Sequence, residues 1–326
     1  MKKIIGICIL ILCSCSKNKN IYKYELLDNW PNISNDFVLG NPTGLALNSK
    51  EQLVVFHRGS RSWQNPMPKE RIEENAIFIL DNKTGEIINS WGSNLFIMPH
   101  GLEVDNDDNI WVTDVGLHQV FKFSSSGEKL MVLGEESKAG DDQNRFNLPT
   151  DIAVAEDGSF YVSDGYGNSR VIKFSKSGEY QFEWGKFGNG DSEFNIPHGI
   201  DLDGKKNVYV ADRENNRIQK FDSLGNFIKK WQNMSIGQLY SLNINTDKNY
   251  LIGIDYIVSE NLSPIGSDIF YFDLDLNLKT RFGRTGNYDG KISRYHDVQV
   301  DKNKNIFVGD ILNNTIQKFV PTTVKK

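Results

Sequence analysis

The chain has almost no cysteine. Its 326 residues include three, Cys8, Cys13 and Cys15, all within the first fifteen positions. No disulfide and no cysteine-rich zinc site can staple the body beyond them, so its stability rests on packing. Histidine is scarce too, with five in all. There are 37 lysines and arginines against 42 aspartates and glutamates, a formal net charge of −5. No basic run is long enough to follow a phosphate backbone, which argues against nucleic acid as a partner. No stretch carries the apolar period of a long helix. What remains is a chain that is 39% hydrophobic and 11% aromatic, enough to bury a substantial core.

The one long apolar run is at the start, in "MKKIIGICILILCSCSKNKN". Two lysines, about a dozen apolar residues and a small-residue site read as a secretory signal peptide, too short to span a bilayer as a mature helix. Within it "LCSC", Leu12 to Cys15, resembles a bacterial lipobox. That resemblance implies that residues 1–14 are removed, that Cys15 is lipidated, and that residues 15–20 form a polar tether. The expectation is an exported bacterial lipoprotein anchored at the membrane, on its periplasmic or cell-surface face.

The body repeats itself. "GLEVDNDDNIWVTD" ends at Asp114, "DIAVAEDGSFYVSD" at Asp164, "GIDLDGKKNVYVAD" at Asp212, "SLNINTDKNYLIGID" at Asp255 and "DVQVDKNKNIFVGD" at Asp310. A sixth copy, "GLALNSKEQLVVFH", carries His57 where the others carry Asp. The spacings from His57 onward are 57, 50, 48, 43 and 55. Third strands such as "SRVIKF" and "NRIQKF" follow, then fourth strands after Gly-containing turns. Alternation of period two with short turns gives four antiparallel strands per unit, the pattern of a propeller blade. The sequence therefore predicts an all-β, six-bladed β-propeller over 21–320, with 321–326 as a tail. The last unit lacks its fourth strand, and "IYKYELL", residues 21–27, is available to complete it and close the ring. With its Pro-x-Gly start, strand-two Asp and "RIQKF" third strand, the unit resembles the NHL repeat. "DNDDN", residues 105–109, looks like a calcium loop. Its counterparts in the other copies are hairpin turns, and turn duty explains its Asp and Asn. Recurrence likewise argues that the strand-two aspartates are structural.

Three of the five histidines fall at one position of the repeat. His100, His198 and His296 open the first strand in blades two, four and six, spaced 98 and 98 residues apart. Thr43, Thr150 and Ser241 hold that position in the other blades. The first strand of a blade lines the central channel, and alternate blades lie about 120° apart. Three imidazoles then point at one spot, which suits three nitrogen ligands at about 2.0–2.1 Å with a fourth position open. Zinc is the expected ion.

Longer matches go beyond the repeat. "VVFHRGSRSW", "MPHGLEVDNDDNIWVTDVGLHQVFKF", "FNLPTDIAVAEDGSFYVSDGYGNSRVIKF", "FNIPHGIDLD" and "VADRENNRIQKF" resemble the peptidyl-α-hydroxyglycine α-amidating lyase (peptidylamidoglycolate lyase) family. The resemblance implies cleavage of a C-terminal α-hydroxyglycine into an amide and glyoxylate. It implies zinc on His100, His198 and His296, and a structural calcium on the Leu45 and Leu102 carbonyls and Asp297. It also implies a catalytic tyrosine at Tyr166 and active-site arginines at Arg58 and Arg213. All three of these lie just after strand two of their blades. A tyrosine base needs help, because its ordinary pKa of about 10 leaves little phenolate at neutral pH. Neighbouring arginines are expected to lower it. The chain departs from the family at His296, which follows Arg294-Tyr295 where His100 and His198 follow an apolar residue and Pro. Arg294 is expected near the zinc mouth, where it would bear on substrate choice. Inserts at 60–75 and 257–268 are expected on the rim.

The chain thus reads as a monomeric zinc lyase acting on a small peptide or other carbinolamide. Two alternatives stay open: a non-enzymatic NHL lipoprotein binding a peptide, glycan or protein, and another metal-dependent hydrolase or lyase. Only the first of these leaves the alternate-blade histidines unexplained.

Overall fold

Six antiparallel sheets surround a common axis, and in each the chain runs outward strand by strand. The computed structural model describes residues 23–245, 249–284 and 291–322. The signal segment, Cys15 and the tether lie outside the described residues. Among the described residues no helix is long and apolar enough to cross a membrane.

The innermost strands are Pro42–Leu47, Pro99–Val104, Asp151–Val154, Pro197–Leu202, Gln238–Asn245 and Tyr295–Val300. The second strands of blades one to four and six, such as Ile110–Asp114 and Val208–Asp212, are buried at every position. They are covered on both faces by neighbouring blades, so Val, Phe, Tyr and Trp occupy positions of either parity. The outermost strands, such as Lys129–Leu133, are largely exposed. Blade five adds a short strand, Pro264–Gly266, pairing with the end of Tyr250–Val258. This hairpin is the 257–268 insert.

The ring closes as the sequence predicts. Lys23–Leu26 pairs antiparallel with Thr315–Thr322 and supplies the outer strand of blade six. That pairing leaves blade six no unpaired outer edge on its third strand. The last strand runs to Thr322, two residues beyond the expected boundary.

The strand-two aspartates serve the backbone. The Asp114 carboxylate accepts from the Ile97, Met98, Gly116 and Leu117 amides. Asp164, Asp212 and Asp310 accept from Asn147, Asn195 and Arg294 in the same way. His57 does the same work in blade one, where Nδ1 accepts from Gly40 and Gly59. The Asp105 side chain closes its own hairpin, accepting from the Asp107 and Asn109 amides, as turn duty requires.

In blades one, two and four glycine follows the ring position, for a steric reason. A Cβ on Gly101 would lie 2.7 Å from the Thr150 carbonyl oxygen, and one on Gly199 would lie 2.8 Å from Ser241 Cα. The inner strand of the next blade passes there.

Candidate metal centre and active-site pocket

His100, His198 and His296 are buried, and their ligand nitrogens lie within 4.8 Å of one another. Each ring is fixed by the next blade. The Nδ1 atoms lie 2.5 Å from the Thr150 carbonyl, 2.7 Å from the Tyr240 carbonyl and 2.9 Å from the Thr43 carbonyl respectively. A carbonyl only accepts, so each Nδ1 carries the proton and each Nε2 presents a bare lone pair to the axis. Burial is the main cause that holds all three imidazoles neutral, well below their ordinary pKa. The odd blades contribute hydroxyls that tie blades together. Thr150 Oγ1 donates to the Pro197 carbonyl at 2.7 Å, and Ser241 Oγ to Asp297 Oδ1 at 2.6 Å.

The Tyr166 hydroxyl stands over this triangle, 3.0 Å from both His100 Nε2 and His198 Nε2. Three acceptor nitrogens thus face a single O–H donor, which can serve one of them at a time. A cation is the partner that satisfies all three, and three neutral imidazoles with an open side suit a catalytic zinc or a similar transition metal.

The centre opens into a pocket of about 440 Å³ whose lining includes Arg58, Trp63, Tyr166, Arg213, Tyr240 and Arg294. Arg58 is 2% exposed. Its Nε donates to the Pro99 carbonyl at 3.0 Å, and its Nη2 is buried without a partner. Burial lowers its pKa to about 10. Arg213 is paired with Glu214 at 2.8 Å and reaches the Tyr166 hydroxyl at 3.4 Å. Its guanidinium lies 5.2 Å from the Tyr166 ring and 5.2 Å from the Tyr240 ring. The three candidate active-site residues from the strand-two loops therefore face the same mouth as the histidines.

Burial raises the Tyr166 hydroxyl pKa, and the pull of Arg213, Arg58 and Arg294 in the other direction does not overcome it. The cause is that the phenol sits under a lid of protein: Trp63 packs on its ring at a centroid distance of 5.0 Å.

Below the histidines the channel narrows and becomes acidic. Asp297 Oδ2 accepts from the Leu45 amide at 2.6 Å. Leu102 lies on the adjoining inner strand, so close that a Cβ on Gly44 would meet its Cβ at 2.5 Å. Asp201 bridges to the Ile244 amide and Asp151 to the Ile200 amide in the same manner. Burial pushes Asp201 and Asp297 up to about 7, and raises Glu103 and Asp151 well above the usual carboxylate range. Carboxylate oxygens are the donors that a hard cation such as calcium prefers, whereas the amide N–H groups they accept from do not ligate it.

Sequence reasoning missed Trp63 and Tyr240. Trp63 comes from the 60–75 insert, expected on the rim, and turns inward over the mouth. Tyr240 precedes the ring position, where blades one to four carry Pro42, Pro99, Pro149 and Pro197 and blades five and six carry Tyr240 and Tyr295. That break in the pattern was the available signal.

The NHL repeat matches residues 96–123, 146–174 and 194–221. A streptogramin B lyase structure superposes with a TM-score of 0.58 at 14% identity, covering 92% of this chain and 98% of that one, which shows the shared propeller fold. Peptidyl-glycine alpha-amidating monooxygenase of Mus musculus is 34% identical over 318 residues, 90% of this chain and 31% of its own length. This chain thus spans about a third of such monooxygenases. A probable peptidyl-alpha-hydroxyglycine alpha-amidating lyase of Caenorhabditis elegans is 35% identical over 266 residues, 76% of this chain and 74% of its own length. With the propeller, the histidine triangle and this extent of likeness together, the chain belongs to the peptidyl-alpha-hydroxyglycine alpha-amidating lyase family.

Proposed function

We propose that this protein is a zinc-dependent lyase that cleaves a C-terminal α-hydroxyglycine, or a related carbinolamide, into an amide and glyoxylate. The observation that carries the reading is the Tyr166 hydroxyl, 3.0 Å from two of three converging imidazole Nε2 atoms. His100, His198 and His296 would hold the zinc, which supplies Lewis acidity toward the substrate hydroxyl.

The chain's own residues do the rest. Tyr166, whose ionised form Arg213 and a cation on the three imidazoles would favour against the cost of burial, would take the hydroxyl proton as the C–N bond breaks. The former carbinol carbon becomes the aldehyde of glyoxylate, and Tyr166 returns the proton to the departing amide nitrogen. Arg213 lies beside the Tyr166 oxygen and favours its charged form. Arg58 offers its unpartnered Nη2 to the substrate carboxylate. Trp63 roofs the phenol and keeps water from it. Asp297, with the Leu45 and Leu102 backbone, is assigned to a structural calcium that ties inner strands together.

Every residue in this scheme comes from one chain, so a monomer suffices. The lipid anchor at Cys15 belongs to the same reading and places the activity outside the cytoplasm, on substrates small enough for the pocket. The test is glyoxylate release from a small N-acyl-α-hydroxyglycine, with and without chelator. Metal-loaded protein that releases no glyoxylate would sink the assignment.

A further inference from the structure

We infer that the pocket contains a second anion subsite, built by Arg294 with Tyr240, and that the preferred substrate carries a carboxylate on the acyl side of its carbinolamide. A peptide whose residue before the hydroxyglycine is Asp or Glu has this chemistry. The inference rests on the lyase reading and names the substrate class of the same site.

The argument begins with how this fold treats other arginines near its blade ends. Arg170, Arg217 and Arg284 lie against Asp164, Asp212 and Asp255 at 3.0, 2.6 and 2.5 Å. Each is neutralised where it sits. Arg294 departs from this rule. Among the described residues it has no carboxylate within ion-pair distance, and its side chain is held by neutral groups alone. Its Nε and Nη2 both donate to the Tyr240 hydroxyl. Its guanidinium stacks 5.4 Å from the Tyr240 ring and 4.8 Å from the Tyr256 ring. Its backbone amide is pinned to Asp310 Oδ1 at 3.0 Å. The cation is therefore positioned without being neutralised, and among the described residues its Nη1 has no hydrogen-bond partner in the pocket that it lines.

Charge balance says what that ligand is. Three guanidiniums, of Arg58, Arg213 and Arg294, line one pocket, and Glu214 pairs with one of them. Asp114 lies near Arg58, but its carboxylate is engaged by four backbone amides. The carboxylate of a hydroxyglycine answers one further positive charge. Glu214 and the ionised Tyr166 oxygen both lie at Arg213, so Arg294 stays unanswered until the substrate brings a second anion. A planar guanidinium with one edge on Tyr240 and its remaining nitrogen open is suited to a carboxylate.

Geometry places this subsite beside the reaction centre. The Tyr240 ring lies 4.9 Å from the His198 ring and 5.6 Å from the His296 ring. Arg213 and Arg294 both stack on Tyr240, so one aromatic ring separates the two cations. A group bound at Arg294 would thus be one residue removed from the carbon that reacts.

The experiment compares kcat/KM for glyoxylate release from N-succinyl- and N-butyryl-α-hydroxyglycine, which differ by the distal carboxylate. In parallel, calorimetry measures binding of N-succinylglycine and N-butyrylglycine, which cannot react, to the protein as isolated. The succinyl compound is expected to lead by about tenfold or more in both, the worth of one charge-assisted contact. Arg294→Met is expected to lower the succinyl values about tenfold more than the butyryl values, and Arg294→Lys to recover part of the difference. Equal values for the two ligands in the native protein, or an equal loss for both in Arg294→Met, would overturn the subsite. Absent turnover with retained selective binding would overturn the lyase reading and leave the subsite standing.

Discussion

The ring nitrogen of His100 and the carbonyl oxygen of Thr150 lie 2.5 Å apart across a blade boundary. The same link joins His198 to Tyr240 and His296 to Thr43. Each even blade supplies an imidazole, and the following odd blade supplies the carbonyl that fixes its tautomer. The histidine triangle is therefore a property of the closed ring and not of any one blade.

Removing one imidazole should dismantle the centre. His100→Ala, His198→Ala and His296→Ala are each expected to reduce bound zinc from about one per chain to near zero, with glyoxylate release falling at least a hundredfold. Metal analysis of the purified variants checks this. Thr150→Val, which keeps the backbone carbonyl, should keep its zinc.

Tyr166→Phe should separate chemistry from metal binding. Loss of a proton-transfer group costs about 10²–10⁴-fold in turnover. Zinc content should match the native protein, since the hydroxyl does not hold any imidazole in place. Undiminished turnover would remove Tyr166 from the mechanism.

Arg58→Ala deletes the buried, unpartnered Nη2. A carboxylate contact of this kind is worth about 1.5–3 kcal/mol, so kcat/KM should fall ten- to a hundredfold. Arg58→Lys should recover little, because a single ammonium cannot keep the Pro99 carbonyl contact and also meet the ligand.

Calcium should act on stability. After treatment with a calcium chelator, the melting temperature is expected to fall by roughly 5 °C and to return when calcium is added. Asp297→Asn should melt low in both conditions. Scanning calorimetry reads all four states.

His57 makes acid stability measurable at one residue. Its folded pKa is lowered to about 4, mainly by burial, from an ordinary value of 6.5. Above pH 6.5 both folded and unfolded forms are neutral there, and the contribution is complete. Between pH 6.5 and about 4 only the unfolded chain takes the proton, so stability is lost as pH falls. The stability advantage of the native protein over His57→Gln should shrink by roughly 3 kcal/mol across that window. Urea titrations at several pH values provide the comparison.

Much of this was legible along the chain. The six copies, the missing fourth strand and the regular spacing of three histidines are periodic, and a period survives without coordinates. Tyr166, Arg58 and Arg213 were singled out by the resemblance of "SDGYGNSR", "FHRG" and "ADREN" to the lyase family, and the structure brings the three to one pocket. Tyr240 and Trp63 were not, since one sits where earlier blades carry proline and the other comes from an irregular insert.

The covalent order of the residues determined that six similar blades would form and that every second one would bring an imidazole to the axis, because strand pairing and alternation are local. Only ring closure decided which carbonyl fixes each imidazole and which tyrosine separates Arg213 from Arg294. Those outcomes depend on distances between blades that meet far apart in sequence, and on how much water the assembled channel excludes.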